Sequence, residues 1–506
     1  MTLLIKNVRI VGGSRPFPEP CDVFVSGEKI SAIGHFPNKP ADRVLDGLGA
    51  YLSPGFIDVN ASSDHYLTLL EYPGQEDFLR QGVTTVFGGM CGASLAPLIY
   101  GGLESFRKWG STDRVNVDWH SMAEFLASID RRPLGVNFGT MVGHGTIRRA
   151  ITGDAVRDLT KNELAVFKNT LEAALREGGF GLSTGLEYIH ARPASYGELK
   201  ALLEVVKRYD GVHATHVRDT KAMIDEAVDE AVKLARETGV PTLISHFVPL
   251  AGFEQPYEKA FEMIEALPPD VALRFDLHPS LYTMAPIYTF LPSWAQADGF
   301  KKMREELNDE WMLRKIERDM PPISEDDFMV AQAPGHEFWI GKTLRELKQV
   351  YGVPDGRTAL LMLMKALDMR GAALYKNIRE PLLLKAMEHW RSFIGSNAPS
   401  FAFAKDRRLK PEHATSTFTS FLGLVERTGI MPIEDAVRKI TAEPAAMFGL
   451  AGRGVIQEGY FADLACFKDG DVKFTVVNGG VAAERDGHKG ALRGKALRRR
   501  SLPKSR

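Results

Sequence analysis

The chain has 506 residues, of which 44% are hydrophobic and 25% are charged, the balance of a globular protein with a large buried core. Its 63 Lys and Arg residues almost equal its 64 Asp and Glu residues, which argues against a broadly basic nucleic-acid surface. Three cysteines are too few for a disulfide framework and favour a reducing compartment. Because neither a signal peptide nor an 18-residue apolar run is evident, we expect a cytoplasmic protein without nucleic-acid or membrane partners.

Both ends of the chain have the pattern of a small β-domain. Short apolar, β-branched segments separated by Gly and Pro predict strands over residues 3–11, 22–25, 29–33, 462–467 and 472–477. Asn478-Gly479-Gly480 then supplies a turn signal. The residues after 485 are basic and poorly patterned, which is typical of a solvated terminus rather than a nucleic-acid patch.

Between the two ends, predicted strands alternate with amphipathic helices. Strands are predicted over 83–87 and 179–183, and helices over 161–177 and 196–209. This alternation predicts a parallel sheet with helical crossovers, either open or closed. In a closed barrel the functional residues follow the strands, at their carboxyl ends.

Two histidines end consecutive predicted strands. Strands over 212–217 and 241–246 flank a predicted helix over 220–238, so His216 and His246 are 30 residues apart, about one βαβ repeat. Both side chains are therefore expected at the same end of neighbouring strands, where they can share a metal ion.

Residues 283–341 interrupt the alternation. This segment contains several prolines, among them Pro286, Pro292, Pro321 and Pro322, several aromatic residues and a charged stretch over 301–327. We interpret it as an insertion over the mouth of a barrel, with the character of a lid.

Several motifs in order along the chain indicate a family. They are Pro54-Gly55-Phe56-Ile57-Asp58, residues 89–98, Gly143-His144-Gly145-Thr146-Ile147-Arg148, residues 181–188, Thr215-His216-Val217-Arg218, Ile244-Ser245-His246 and residues 452–464. With these motifs the sequence resembles the D-aminoacylase (N-acyl-D-amino-acid deacylase) family of the amidohydrolase superfamily, over nearly its whole length.

The resemblance implies an α/β fold, a (β/α)8 TIM-type barrel with a small β-sandwich domain formed by both chain ends. The corresponding boundaries are 1–54 and 447–485 for the β-domain, 55–446 for the barrel with its 283–341 insertion, and 486–506 for the basic tail. It also implies hydrolysis of an N-acyl bond by a zinc-activated water.

The family's tight zinc ligands, a cysteine after the second strand and two later histidines, correspond to Cys91, His216 and His246. A thiolate and two imidazoles suit Zn²⁺ and leave one coordination position open for water. We therefore expect one zinc ion per chain. For each residue taken alone, a buried structural role is the common alternative.

Three positions depart from the family pattern. Where the family carries His-x-His for a second, weaker metal, this chain has Asn60-Ala61-Ser62, and neither Asn nor Ser is a good zinc ligand. Asn397 replaces the family's catalytic aspartate, and an amide cannot act as a general base. Val248 replaces a lysine that can meet a substrate carboxylate.

Other side chains are candidates to move a proton in place of the aspartate. His65 lies just beyond the lost His-x-His, His278 lies at another predicted strand end, and His413 follows the last-strand region. Histidine titrates near neutral pH, which suits this role. A hydrogen-bonded polar role is the alternative for each.

Two further residues resemble pocket residues of the family, and a third residue, His144, is also a candidate to bind substrate. Arg218 and Tyr188 are predicted to bind substrate, and an ion-pair role is the alternative for Arg218. His144 lies between two glycines, which indicates close backbone approach near the mouth or a structural turn.

The sequence therefore predicts a metal-dependent amidohydrolase that hydrolyses a C–N bond of a small-molecule substrate at a mononuclear site. The alternative is a non-hydrolytic relative that retains the fold as a binding or scaffold protein. The identity of the substrate, the proton acceptor and a homo-oligomeric state are left open by the sequence.

Overall fold

The structure is a computed structural model that describes residues 1–17, 19–99, 116–153, 155–188, 190–296, 299–401, 409–485, 487–488 and 492–499. It contains two compact units. The first comprises Met1–Pro279, Pro381–Ala402 and His413–Arg506, and the second comprises Ser280–Glu380 and Phe403–Glu412. Of the predicted basic tail, 486–506, only 487–488 and 492–499 are described.

The strands of the described residues are numbered in chain order. They are β1 Thr2–Ile10, β2 Cys21–Ser26, β3 Lys29–Gly34, β4 Arg43–Asp46, β5 Tyr51–Pro54, β6 Phe56–Asp58, β7 Val83–Gly88, β8 Asn137–Thr140, β9 Val142–Gly143, β10 Gly181–Gly185, β11 Val212–His216, β12 Thr242–Ile244, β13 Leu273–Leu277, β14 Tyr282–Pro286, β15 Phe328–Gln332, β16 Ala372–Lys376, β17 Ser392–Ile394, β18 Leu464–Lys468, β19 Asp471–Val477, β20 Gly480–Glu484 and β21 Gly487–His488.

The α-helices follow the same order. They are α1 Thr68–Glu71, α2 Glu76–Leu79, α3 Met122–Asp130, α4 His144–Thr152, α5 Lys161–Arg176, α6 Tyr196–Arg208, α7 Ile224–Thr238, α8 Glu254–Glu265, α9 Ser293–Gln296, α10 Gly299–Asn308, α11 Glu310–Asp319, α12 Leu344–Tyr351, α13 Gly356–Ala366, α14 Glu380–Glu388, α15 Glu412–Thr415, α16 Thr417–Thr428, α17 Ile433–Ile440 and α18 Ala442–Phe448. None of the helices in the described residues combines the length and apolarity needed to cross a membrane.

Strands from both chain ends form one nine-stranded sheet. Its order is β21-β20-β19-β18-β5-β1-β2-β3, with β4 paired to β1. The two ends meet where β18 pairs antiparallel with β5, with Leu464 opposite Pro54 and Cys466 opposite Leu52. Buried aliphatic residues from both ends share one core, because alternate residues of each strand point to the same face.

A buried polar cluster explains the motifs around residues 452–464. Arg453 forms an ion pair with Asp463, both largely buried, and donates to Asn478 Oδ1 at 2.9 Å. Asp463 also accepts the Asn478 backbone N–H at 2.7 Å and the Asn137 amide at 3.1 Å. The cluster therefore joins the β19–β20 turn to the start of β18 and to β8.

The central part of the first unit contains two parallel sheets. One has the order β6-β7-β8 and the other β17-β13-β12-β11-β10-β9. Only Met141 separates β8 from β9, and β8 pairs with β7 while β9 pairs with β10. A parallel bridge between Ala61 and Ala398 connects the residues that follow β6 and β17.

The connecting helices begin where the sequence supplies caps. Thr160 and Glu163 form a capping box at the start of α5, and Ser195 caps α6. The predicted helix over 220–238 begins only at Ile224. The Asp219 carboxylate accepts the backbone N–H groups of Lys221 and Met223 at 2.7 and 3.0 Å, which holds the preceding residues in a turn.

The second unit has its own sheet and core. Its three antiparallel strands have the order β14-β16-β15, with 3-10 helices at Ile287–Phe290 and Glu337–Trp339. Its buried aliphatic residues include Leu344, Leu347, Leu360 and Leu363. The unit extends well beyond the predicted insertion, 283–341, because the central strand β16 comes from later in the chain. The role of this segment as a lid stays a prediction.

Candidate metal centre

Three predicted ligands lie together at the carboxyl ends of parallel strands. Cys91 lies three residues after β7, His216 is the last residue of β11, and His246 lies two residues after β12. One ligand atom from each lies within 4.8 Å of the other two. Cys91 Sγ is 3.6 Å from His246 Nε2, and the two imidazole centroids are 4.4 Å apart. The pairing of β11 with β12 explains why the two histidines meet, whereas Cys91 comes from a strand of the other parallel sheet.

Two of the ligands have unusual backbone conformations. Cys91 has φ 50° and His246 has φ 39°, both in the left-handed region that side-chain-bearing residues rarely adopt. The Ser183 hydroxyl holds the first loop, because it accepts the Gly92 N–H at 3.2 Å and donates to the Gly89 carbonyl. The Asp276 carboxylate holds the second by accepting the His246 N–H at 2.9 Å. Such strain is typical of functional sites.

The environment of His216 selects one of its nitrogens for a metal. Nε2 lies 2.7 Å from Glu187 Oε2, whereas Nδ1 is buried and has no hydrogen-bond partner. Donation from Nε2–H to Glu187 leaves the Nδ1 lone pair available. Burial opposes ionisation of Glu187, but the hydrogen bond from His216 holds the pKa of this carboxyl below its usual value. Sequence reasoning missed Glu187, although it lies within a motif that carries the family resemblance.

The donor set fits zinc. Burial lowers the pKa of His246 to about 3, so this imidazole is neutral at neutral pH, the form that binds metal. The buried Nδ1 of His216 lacks a partner, as a metal-binding nitrogen does before the metal is present. Together with the Cys91 sulfur, these two nitrogens match the ligand types that Zn²⁺ prefers.

A hydrogen-bond network lies where the family carries its second metal ligands. The Asn60 amide donates to both Asp276 oxygens at 3.2 and 3.3 Å, and Ser62 is buried. Burial raises the pKa of Asp276 to about 7. Asp58 accepts the Ser396 hydroxyl and backbone N–H, and its burial raises its pKa to about 6. The two buried carboxyls are therefore held by neutral donors.

Asn397 lies in the same region. It follows β17 by three residues, has φ 48°, and donates its backbone N–H to the Asn60 carbonyl at 2.8 Å. The residues that replace the family's aspartate and its first lost histidine are therefore joined through their backbones.

The three predicted proton carriers have different surroundings. His65 is buried and its Nε2 lies 3.0 Å from the Ala93 carbonyl, which connects two loops at the strand ends. His278 follows β13 and stacks on His413, with ring centroids 4.8 Å apart. Burial lowers the pKa of His413 well below its usual value, and the nearby His278 lowers it further. This disfavours proton uptake by His413, while a catalytic role for each histidine stays a prediction.

Arg218 forms the ion pair that was the alternative to substrate binding. Its Nε and Nη2 bond the Glu230 carboxylate at 3.1 and 2.9 Å. Its Nη1 donates to the Arg192 carbonyl and Nη2 also donates to the Ala194 carbonyl. Arg218 therefore anchors the segment after β10 to α7, and substrate binding by it stays a prediction.

His144 is fully buried in an ionic network. Its Nε2 lies 2.9 Å from Glu198 Oε1, which also accepts from Arg148 Nε at 3.0 Å. Although burial opposes ionisation, these two partners hold the pKa of Glu198 below its usual value. In this conformation His144 offers no surface to a substrate. The Tyr188 ring, by contrast, lies 5.0 Å from the His216 ring, beside the ligand cluster.

Comparison with known proteins decides the family. No protein-family model matches the chain. The chain is 30% identical over 480 residues to D-aminoacylase of Alcaligenes xylosoxydans xylosoxydans, which covers 94% of this chain and 89% of the relative. The chain belongs to the D-aminoacylase family. The resemblance predicted from the motifs is thereby confirmed, and the family's enzymes are hydrolases of carbon–nitrogen bonds other than peptide bonds.

Two solved structures of the family cover 98% of this chain and 99% of their own. One is N-acyl-D-glutamate deacylase from Bordetella bronchiseptica with zinc and a phosphonate mimic of the tetrahedral intermediate, at 25% identity and a TM-score of 0.79. The other is a D-aminoacylase with a binuclear metal centre, in which one metal activates and a second attenuates, at 26% identity and a TM-score of 0.79.

Proposed function

We propose that this member of the D-aminoacylase family hydrolyses an N-acyl carbon–nitrogen bond of a small molecule at a mononuclear zinc site. The observation that carries the proposal is the convergence of Cys91, His216 and His246, whose ligand atoms lie within 4.8 Å of one another. A Zn²⁺ ion held by three such ligands supplies Lewis-acid activation of a water molecule and of an acyl carbonyl.

The two parallel sheets of the first unit belong, in this proposal, to one (β/α)8 barrel. The continuous chain from β8 to β9 joins one edge of each sheet. The Ala61–Ala398 bridge joins the residues that follow β6 and β17, the strands at the two other edges. The ligands then lie at the carboxyl-terminal face, where barrel enzymes carry their active sites. The small-domain-plus-barrel architecture of the relatives supports this arrangement.

A single metal per chain is proposed because the second position has lost its ligands. Asn60 and Ser62 replace two imidazoles, and the Asn60 amide already donates to Asp276. An amide and a hydroxyl offer neither a negative charge nor a basic nitrogen to zinc. The binuclear centre of the D-aminoacylase relative is therefore not carried over to this chain.

Residues around the proposed ligands orient them and determine which nitrogen of His216 carries a proton. Glu187 holds the His216 Nε2–H, so Nδ1 carries the free lone pair. Asp276 holds the backbone of His246. Asn397 donates its backbone N–H to the Asn60 carbonyl, but its side-chain amide cannot act as a general base, which leaves His65, His278 and His413 as the proposed proton carriers.

A non-hydrolytic relative is the second candidate. Asn397 in place of the aspartate and Val248 in place of the lysine favour it, because they remove a proton acceptor and a partner for a substrate carboxylate. Loss of general-base catalysis costs about 10²–10⁴-fold in rate.

Metal analysis and a substrate screen test the proposal together. Zinc-replete full-length protein should hold about one zinc per chain, and Cys91→Ala should lose most of it. Cys21→Ala is the matched control, because Cys21 is also a buried free thiol but lies in β2. N-acyl, N-formyl and cyclic-amide compounds are then screened for hydrolysis.

The outcomes separate the candidates. One zinc with hydrolysis that Cys91→Ala abolishes supports the amidohydrolase. One zinc without hydrolysis of any compound supports the non-hydrolytic relative. Two tightly bound zinc ions, or none, overturn the mononuclear site.

A further inference from the structure

A cavity of about 670 Å³ lies at the amino-terminal ends of the strands that carry the metal ligands. Its walls are formed by residues that precede or begin β11, β12, β13 and β17. Because β11 rises about 3.3 Å per residue, Val212 and the ligand His216 are roughly 13 Å apart along the strand. The cavity is therefore separate from the metal centre, and inferences about it do not depend on the proposed function.

Positive side chains outnumber negative ones in the cavity wall. Lys207, Arg274, Arg391 and Arg499 line it, against the carboxylates of Asp210 and Glu443. Glu443 already forms two ion pairs, since its carboxylate oxygens lie 3.3 Å from Arg274 Nη1 and 3.2 Å from Arg438 Nη2. Asp210 attracts Arg499, and the cavity wall carries two more positive than negative side chains.

Arg391 is the most deeply buried of the cations in the cavity wall. It is only 1% exposed, and its Nη atoms donate to the carbonyls of residues 267, 268, 271 and 273. Its Nε is buried without a hydrogen-bond partner. Within the described residues, no carboxylate oxygen lies within 4 Å of its guanidinium. Asp270 attracts this guanidinium from beyond ion-pair distance, and the unpartnered Nε–H remains available to a further acceptor.

Arg499 and Lys207 add two further cations. Arg499 Nη1 donates to the Phe448 carbonyl at 2.9 Å, and burial lowers the pKa of this guanidinium. In the part of the chain that the structure describes, neither side chain forms an ion pair with a carboxylate. Asp210 and Asp270 offset part of the charge of Arg499 and Arg391, and the mutual repulsion that remains among the three cations opposes folding.

We propose that this cavity binds a small multivalent anion bearing phosphate or carboxylate groups. Guanidinium groups present planar N–H donors that match these oxygens, and burial strengthens each charge-assisted hydrogen bond. The Trp390 indole lines the cavity and restrains two of the cations, with the Arg391 and Arg274 guanidinium carbons 4.2 and 4.7 Å from its ring centroid. The site is thus preorganised rather than a loose surface patch.

Calorimetric titration of the full-length protein with pyrophosphate and with citrate tests the proposal. Ionic strength is held constant with chloride, so that general screening does not contribute. Arg499→Ala should weaken binding about tenfold or more, since a hydrogen bond to a charged group contributes about 1.5–3 kcal/mol. Arg131→Ala is the matched control, because Arg131 is exposed at the end of α3 and does not line the cavity.

Tryptophan fluorescence localises the binding. Trp390 is 47% exposed, so an anion in the cavity should change its emission, and Trp390→Phe should remove this change. Lys207→Ala, an exposed position in α6, replaces Arg499→Ala if that variant fails to fold.

Each outcome decides the proposal. Binding of pyrophosphate alone, or of citrate alone, supports it and identifies the anionic group. Absence of binding at millimolar concentrations of both overturns it. Equal weakening by Arg131→Ala also overturns it, because the anions would then respond to overall charge rather than to the cavity.

Discussion

Replacement of Glu187 is the sharpest test of how the metal ligands are oriented. The Glu187 carboxylate lies 2.7 Å from His216 Nε2, and the Thr220 hydroxyl donates to the same oxygen at 3.3 Å. We expect Glu187→Gln and Glu187→Ala to weaken zinc binding without unfolding the protein, because Glu187 is partly exposed.

The expected loss of zinc affinity depends on which interactions with His216 each variant retains. Loss of a carboxylate that supports a metal-binding histidine typically costs 10–100-fold in affinity, about 1.4–2.7 kcal/mol. Glutamine keeps an oxygen that accepts the Nε2–H but loses the charge, so Glu187→Gln should lie near tenfold. Alanine loses the acceptor as well, so Glu187→Ala should lie near 100-fold.

Competition with a chromophoric chelator measures the zinc dissociation constant, and circular dichroism checks the fold. Glu204→Gln is the matched control, since it removes an exposed carboxylate from α6. Unchanged zinc affinity in Glu187→Ala would show that the hydrogen bond to Glu187 does not orient His216. Weaker zinc binding in Glu187→Gln but not in Glu187→Ala would refute the expectation that the charge and the hydrogen-bond acceptor each contribute to affinity.

Three further variants test the proton acceptor and the buried charges. If nothing compensates for the missing aspartate, Asn397→Asp should raise hydrolysis of an N-acyl-D-amino acid by up to ~10⁴-fold, more so with Val248→Lys; a fall in an existing activity would instead make Asn397 part of a different mechanism. Arg453→Ala, which breaks a buried ion pair, should cost about 3–5 kcal/mol in chemical denaturation. Arg157→Ala, which breaks a solvent-exposed ion pair, should cost much less, and equal losses would contradict this reasoning. Burial lowers the pKa of Lys439 to about 8, so the folded protein releases this proton before the unfolded chain does near pH ~10.4. The melting temperature should therefore rise as pH increases between these two pKa values, and Lys439→Met should remove this rise.

The loss of the second metal position has a structural counterpart that the motifs alone did not show. Asn60 is not merely an absent ligand, because its amide donates to Asp276, 216 residues away in the chain. Asp276 in turn holds the backbone of His246. Asn60 is therefore connected through Asp276 to the predicted metal ligand His246, a relation that depends on packing between distant strands.

Local pattern predicted part of the candidate site. His216 and His246 lie at the ends of strands about one βαβ repeat apart, and neighbouring parallel strands place their carboxyl ends at one edge. Cys91, which follows a strand of the other parallel sheet, was predicted only from the resemblance to the family. The strands at both chain ends were also predictable, because alternating burial leaves a clear trace in the sequence.

Only the tertiary structure decided which partners those residues have. Glu187 accepts a hydrogen bond from His216 Nε2, and Arg218 and His144 are held by Glu230 and Glu198. The extent of the second unit likewise depended on β16, which enters its sheet from later in the chain. The physical reason is the same in each case: periodicity specifies which face of an element is buried, but a polar side chain takes its partner from whatever group long-range packing brings within hydrogen-bond distance.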